Sequence, residues 1–405
     1  MSLINSSSIF FIWISINVLF WNKFLFIFGL KFPYIYALNL LVFILIFLVQ
    51  DNKIKLNHIF ITLFFLAYSF ITFLYCDFSD FKRSIATFSL LAPNFIICFY
   101  FSKSKFLSNY DLISKISLFI KITVIFAIFL QYLGLISTDR DLYHGFFNEP
   151  SHLAYCCIIF ILFPFLGITE NNFVNKVSKF LSIILVVLSP SLTLLTLLAS
   201  FFLLLNIKRF TPYRLMIIFF IIFFTIFIVI NNDYLLFRFT GLINPEHPNL
   251  SSLLYFFGWK QIGSDLYNTI GLGLGFNAKG CLGYSNININ DFYTIHTAHN
   301  EYLADVIHDN QLNYQDGSFL ASKIISEFGI FGIIFYFFII FKLFKLYKIF
   351  NISNDNVFKL IYISSFLFVV ISFTRTGSYV SIFFILPFII KFLSWKNNFK
   401  SHVNN

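Results

Sequence analysis

The feature that most constrains this chain is a succession of apolar stretches close to 20 residues long. About twelve can be counted, at 8–29, 34–50, 57–76, 84–102, 113–135, 150–168, 176–189, 191–207, 214–231, 323–346, 357–373 and 378–394. Stretches of this length suit helices crossing the roughly 30 Å hydrocarbon core of a bilayer. In lipid every backbone N–H and C=O must be satisfied within its own segment, so helices are expected despite a β-branched and aromatic bias that would suggest strands in water. Charged residues make up only 11% of the chain, against about a quarter in soluble domains, which excludes a cytosolic enzyme or a disordered regulator. The expected fold is an all-α polytopic membrane protein of about twelve transmembrane helices.

The net charge of +10 would point to nucleic acid in a soluble protein. Here the position of each charge relative to the membrane decides its meaning, and no nucleic-acid partner is expected. The run 176–207 is divided by Ser189-Pro190-Ser191, where proline cannot donate the helical bond. With two passes there, Lys208, Arg209 and Arg214 share a side with Lys53/Lys55, Lys103/Lys105, Lys176/Lys179, Lys342/Lys345/Lys348 and Lys391/Lys396/Lys400. That side is cytoplasmic by the positive-inside rule, and both termini fall on it. The uncharged Met1–Ser8 leads into a long apolar run without a small-residue cleavage site, which reads as a retained first span rather than a cleaved signal.

The external side then receives loops near 77–83, 136–149, 232–322 and 374–377. The organisation is an N-terminal membrane bundle (1–231, about nine spans), a large external loop (232–322), and a C-terminal bundle of about three spans with a short cytoplasmic tail (323–405). The large loop holds four of the eight histidines and eight acids, and a loop of this length is usually functional. Four cysteines lie in or at the ends of apolar runs, and Cys281 has no obvious mate. They read as buried thiols acting as small hydrophobes, with neither a disulfide framework nor a zinc site expected.

Four constellations carry the candidate chemistry. Arg140 to His152 sits at the mouth of the sixth span, with Pro150 suited to a first helical position and Asn148 or Glu149 to its cap. Glu149 is either a simple cap or a poised carboxylate; flanking Phe146 and Phe147 would disfavour its ionised form and make it a better base. Arg238 follows the ninth span, either as a snorkelling anchor or as a ligand. Beyond it come Gly258-Trp259-Lys260 and the run Gly271-Leu272-Gly273-Leu274-Gly275-Phe276. No βαβ unit surrounds that run, so it is not read as a dinucleotide site. Its glycines would let backbone approach a ligand or another helix. His296, His299 and Glu301 lack the H-E-x-x-H spacing of a zinc helix, leaving a solvated loop helix or a substrate-binding or acid/base histidine, with Asn300 alongside. Arg375, alone between two apolar spans, presents a fork of donors that matches phosphate oxygens.

External arginines, a carboxylate and a histidine suit a lipid-linked pyrophosphate substrate. Glycosyl transfer outside the cytoplasm needs such a pre-activated donor. In the order and sidedness of these segments the chain resembles the bacterial O-antigen polymerases (Wzy-type), within the group that includes the O-antigen ligases. The segments are Gly145-Phe146-Phe147-Asn148-Glu149-Pro150-Ser151-His152-Leu153-Ala154, the glycine run, His299-Asn300-Glu301-Tyr302-Leu303 and Glu327-Phe328-Gly329-Ile330-Phe331-Gly332. The resemblance implies a GT-C-like membrane glycosyltransferase, free of metal, cofactor and nucleotide sugar. It would move a growing glycan from undecaprenyl pyrophosphate to the next lipid-linked repeat unit at the outer face of the bacterial inner membrane. Membrane lipid and a chain-length regulator protein are its candidate partners.

The resemblance makes Glu149 and His299 the candidate catalytic residues, with the choice of base open between them. Arg140, Arg238, Lys260, Arg375, His152 and Asn300 are the candidate pyrophosphate and sugar ligands. The sequence departs from the family at Tyr255, where another arginine is common, and at His308–Ser322, which intervenes before the next span. Two competing readings are a ligase that transfers finished glycan to lipid A-core and a carrier or flippase for the lipid-linked unit.

Overall fold

The computed structural model describes residues 6–19, 24–27, 30–50, 56–135, 144, 145, 147, 150–166, 172–206, 230, 236, 240, 250–281, 319–353, 355–374 and 383–395. Apart from one short hairpin, the regular elements among them are helices. In chain order they form α1 (Ser6–Leu19), β1 (Phe24–Ile27), β2 (Leu30–Pro33), α2 (Tyr34–Gln50), α3 (Leu56–Tyr75), α4 (Phe78–Lys103), α5 (Tyr110–Tyr132), α6 (Pro150–Leu162), α7 (Asn172–Leu188) and α8 (Leu192–Asn206). Then come α9 (Leu250–Asn268), α10 (Leu320–Phe328), α11 (Ile330–Ile352), α12 (Asn356–Thr374) and α13 (Leu386–Ser394). The expected span 214–231 lies outside the described residues, apart from Ile230.

Among the described residues, Phe78–Lys103, Tyr110–Tyr132, Ile330–Asn351 and Asn356–Thr374 are long and apolar enough to cross a membrane. Their outward faces are apolar too. Phe337 is 70% and Phe344 76% exposed on α11. Water would penalise such a stripe, and hydrocarbon accepts it. The chain is thus a membrane-embedded helical protein.

Sequence chemistry sets several boundaries. α6 begins at Pro150, the first helical position expected of it. α7 and α8 separate at Ser189-Pro190-Ser191 as expected, and Ser191 Oγ caps α8 by accepting from Leu194 N at 3.1 Å. Asn109 caps α5 in the same way through Leu112 N at 3.1 Å.

Three boundaries differ from expectation. The first apolar run is not one helix: α1 stops at Leu19, and β1 and β2 pair antiparallel from Phe24↔Pro33 to Ile27↔Leu30. The polar Asn22-Lys23 interrupts the run before a helix of spanning length can form. α4 begins at Phe78, so the expected loop 77–83 is mostly helix; Asp80 sits in its first turn, where the dipole favours an acid, and pairs with Arg83 at 3.0 Å. The tenth apolar run divides into α10 and α11 at Gly329, whose φ is 57°.

The described N- and C-terminal helices share one core. α4 packs on α13 and α8 on α12, while α3–α4, α5–α7, α6–α8, α9–α10 and α11–α12 form neighbouring pairs. Lys121 of α5 is fully buried. Its ammonium donates to Ser178 O at 3.0 Å, Ser178 Oγ at 2.5 Å and Ser182 Oγ at 3.0 Å, all on α7. Ser182 Oγ in turn donates to Ile161 O of α6 at 2.9 Å. Three N–H donors therefore meet three acceptors, and this polar brace ties three helices. Removing acceptors while keeping the ammonium should cost more than removing the ammonium. Thermal unfolding of the detergent-solubilised protein should rank the Ser178→Ala/Ser182→Ala double variant below Lys121→Met, with the former losing about 2–4 kcal/mol.

Candidate functional site

The most densely tied junction in the described chain is built on the glycine run. α9 ends at Asn268, and Thr269 Oγ1 donates to Asp265 O at 2.7 Å and accepts from Gly273 N at 3.0 Å. The following loop lies across the gap between α10 and α11. Leu274 N donates to Ser326 O at 2.9 Å and Gly275 N to Glu327 O at 3.0 Å, which satisfies carbonyls at the end of α10. Ile330 N, at the start of α11, donates to Gly271 O at 2.8 Å. Phe276 N reaches α3 at Tyr68 O, 3.2 Å away. The glycines permit this approach: a Cβ on Gly273 would meet Glu327 O and Gly329 N, and one on Gly275 would meet Thr72 and Tyr68. One on Gly329 would meet Gly271 and Leu272. The partner of the glycine run is therefore helix backbone.

Four buried charges sit at this junction: Asp265 on α9, Lys279 in the loop, and Lys323 and Glu327 on α10. Glu327 Oε2 accepts from Asn277 N at 2.8 Å and Oε1 from Lys279 N at 3.3 Å. Lys323 Nζ lies 3.9 Å from the same Oε1. The Lys279 ammonium donates to Ser322 Oγ, whose own proton goes to Gly258 O at 3.2 Å. Burial pushes the Asp265 carboxyl up, to about 6, against the stabilising Ser326 hydroxyl and Lys279 ammonium. Burial pushes Lys279 down, to about 7, against the pull of Asp265 and Glu327. Two acids and two bases leave the cluster with no formal charge when all four are ionised. On the α4 side, Arg83 Nε donates to Asn277 O at 3.2 Å and Asn277 Nδ2 to Thr87 Oγ1 at 2.8 Å.

The junction also corrects the cysteine reading. Cys76, just past α3, and Cys281 form a disulfide with Cα atoms 5.5 Å apart. The mate of Cys281 lies at the end of an apolar run 205 residues earlier, and spacing alone does not reveal that pairing. Cys98, Cys156 and Cys157 are buried thiols, as expected.

Of the eight candidate site residues, Glu149, His299, Arg140, Arg238, Arg375 and Asn300 lie outside the described residues. His152 is half-buried in the first turn of α6, its ring 5.5 Å from that of Tyr155. Lys260 is exposed on α9. Its neighbour Trp259 packs on Phe373 of α12, centroids 6.1 Å apart, two residues before Arg375 in sequence. The chain ahead of Glu149 is pinned by a residue that sequence reasoning missed, Gln131 at the end of α5. Its Oε1 accepts from His144 N at 2.9 Å and Gly145 N at 2.8 Å, and its Nε2 donates to Gly145 O at 3.0 Å. Gly145, with φ 63°, lies against Val124 O and Ala127. Phe147 is buried just beyond.

The cluster Asp265, Lys279, Lys323 and Glu327 was also missed as a unit. Its visible signal is Lys323 and Glu327 at i and i+4, on one face with Ser322 and Ser326 at the start of an apolar run. Among the described residues no three His, Cys, Asp or Glu side chains group in a way that could hold a metal ion. No protein family, curated protein or solved structure matches the chain.

Gly273→Ala and Gly329→Ala should each destabilise the protein by more than about 2 kcal/mol, since backbone must move and φ is positive at both. Gly263→Ala, on an open face of α9, should be neutral or stabilise by up to about 1 kcal/mol. Unfolding in detergent separates these outcomes. The lowered Lys279 pKa means that the folded state releases this proton near neutrality while the unfolded chain holds it to about 10.5. Its contribution to stability therefore rises with pH above about 7, and unfolding measured from pH 7 to 10 should show a flatter rise in Lys279→Met than in the wild type.

Proposed function

We propose that this protein is a membrane glycosyltransferase that polymerises lipid-linked oligosaccharide repeat units at the outer face of the bacterial inner membrane. In this reading the chain crosses the membrane about twelve times in a GT-C-like arrangement, with both termini cytoplasmic. The glycan is O-antigen or a related surface polysaccharide. The observation that carries the reading is the Gly145-to-His152 segment. Gln131 fixes its start and α6 begins at Pro150, which leaves Glu149 as a carboxylate directly ahead of a helix N-terminus. The Cys76–Cys281 disulfide adds support for sidedness, since disulfides persist in oxidising compartments and both cysteines border the segments read as external.

The chemistry follows from the residue types. Glu149 or His299 takes the proton from an acceptor sugar hydroxyl. That oxygen attacks the anomeric carbon of the donor glycan as its bond to undecaprenyl pyrophosphate breaks. Arg140, Arg238, Lys260 and Arg375 neutralise the departing diphosphate, with the arginines suited to bidentate oxygen contacts. His152 and Asn300 serve as sugar contacts. A chain-length regulator would act on this site from outside the chain.

Deleting the gene should remove long-chain surface glycan and leave single capped units on a gel. Loss of every attached unit, single ones included, would indicate a ligase instead. Glu149→Gln, Arg238→Ala and Arg375→Ala should each lower chain extension by about 100-fold or more in a reconstituted assay with lipid-linked repeat units. Normal ladders from all three would refute the site. Gln131→Glu keeps the acceptor for both N–H groups and should retain more activity than Gln131→Leu.

A further inference from the structure

The glycine turn is held in two ways along its length. From Gly271 to Lys279 it is fastened by backbone bonds to α3, α10 and α11 and by the Glu327 carboxylate. At its exit the backbone bond of Cys281 stays local, from its N–H to Ala278 O at 3.0 Å, and the link to the end of α3 runs through sulfur. Residue 282 then begins the segment that carries His299 and Asn300 in the sequence. The three remaining cysteines are fully buried in apolar packing. The cysteine pair therefore sits at the polar end of α3, where an external reagent can meet it during folding, while the other thiols are set in the core.

We propose that Cys76 and Cys281 are a modification site, a dithiol oxidised after translocation by a thiol–disulfide exchange protein of the external compartment, and that closure fixes the exit of the glycine turn to α3. Both residues leave synthesis as thiols, and Cys76 emerges 205 residues before its mate. One thiolate attacks the disulfide of the oxidant, forming a mixed disulfide and releasing the first oxidant thiol. The second cysteine thiolate then attacks the mixed disulfide, forming the Cys76–Cys281 bond and releasing the second oxidant thiol. Two electrons and two protons pass to the oxidant, which ends as a dithiol. The proposal rests on the external placement read from the lysine distribution, and not on the disulfide's support for sidedness or on glycan polymerisation, so polymerisation and this proposal can each fail alone.

The test uses full-length protein in cells. Free thiols are blocked with N-ethylmaleimide under denaturing conditions, then the protein is reduced and treated with a maleimide-polyethylene glycol that adds mass for each newly exposed thiol. Wild type should gain two additions only after reduction, and Cys76→Ser and Cys281→Ser none. Cells lacking their external thiol oxidant should yield protein whose two thiols are blocked in the first step. Complete blocking in oxidant-replete wild-type cells would overturn the bond itself. Unchanged two-fold labelling in oxidant-deficient cells would overturn the exchange protein as its source. In detergent, reductant should lower the unfolding temperature of the wild type and leave the Cys76→Ser/Cys281→Ser double variant unmoved; an equal drop in both would overturn the clamp.

Discussion

The Glu327 carboxylate organises the described half of the large polar segment. It is fully buried, and its two oxygens accept from successive turns of the glycine loop, at Asn277 N and Lys279 N. A buried carboxylate is costly unless paired and hydrogen-bonded. Here the cost is offset by those N–H groups, by Lys323 and Lys279, and by the backbone pairing of the same loop with α10. Hydrogen bonds to charged groups contribute about 1.5–3 kcal/mol each, so an apolar side chain at this position would leave two N–H donors short of a partner. The consequence reaches beyond the loop. With the loop in place, Gly329 must turn, α10 and α11 part, and Phe276 enters the rings of Phe65 and Phe328 against α3 and α4.

Much of the helical framework was legible because it depends on local chemistry. Pro150 and Pro190 mark helix boundaries through what proline cannot do, and a caps-and-breakers reading finds them without tertiary knowledge. The break at Gly329 was not legible from hydropathy, since Phe328-Gly329-Ile330 is apolar on both sides and the turn is imposed by Gly271 and Gly273 from 56 or more residues away. The hairpin from Phe24 to Pro33 was absorbed into the first apolar run, although the polar Asn22-Lys23 marks a break there. The glycine run was read correctly as a place of close backbone approach, with ligand and helix both open as its partner. What the sequence lacked was the far surface: α3 at Tyr68 and Thr72, and α10 at Ser326 and Glu327. The Cys76–Cys281 pair failed for the same reason.

The candidate site was legible only in part. Of the candidate residues, His152 lies in the first turn of α6 and Lys260 is exposed on α9. Gln131 was invisible to that reasoning because its importance lies in a bond pattern, two N–H groups and one carbonyl of a single turn. A lone glutamine at the end of an apolar helix gives no local sign of this. Arg83 was likewise passed over in favour of cations standing in recognisable segments, although it reaches the loop at Asn277.

These contacts change how the charge of +10 should be apportioned. Lys121 is a brace between helices, and Lys279 and Lys323 belong to a neutral buried cluster. None of the three orients the chain by the positive-inside rule or is free to meet an external anion. Arg83 is occupied by Asp80 and Asn277. Of the cations that sequence reasoning had chosen, Lys260 is the one among the described residues, midway along the helix whose C-terminal end enters the glycine loop. Position and rigidity thus come from the buried charges. Changes at Glu327 or Lys279 therefore act on the fold that presents α9, because both groups hold the loop that follows it.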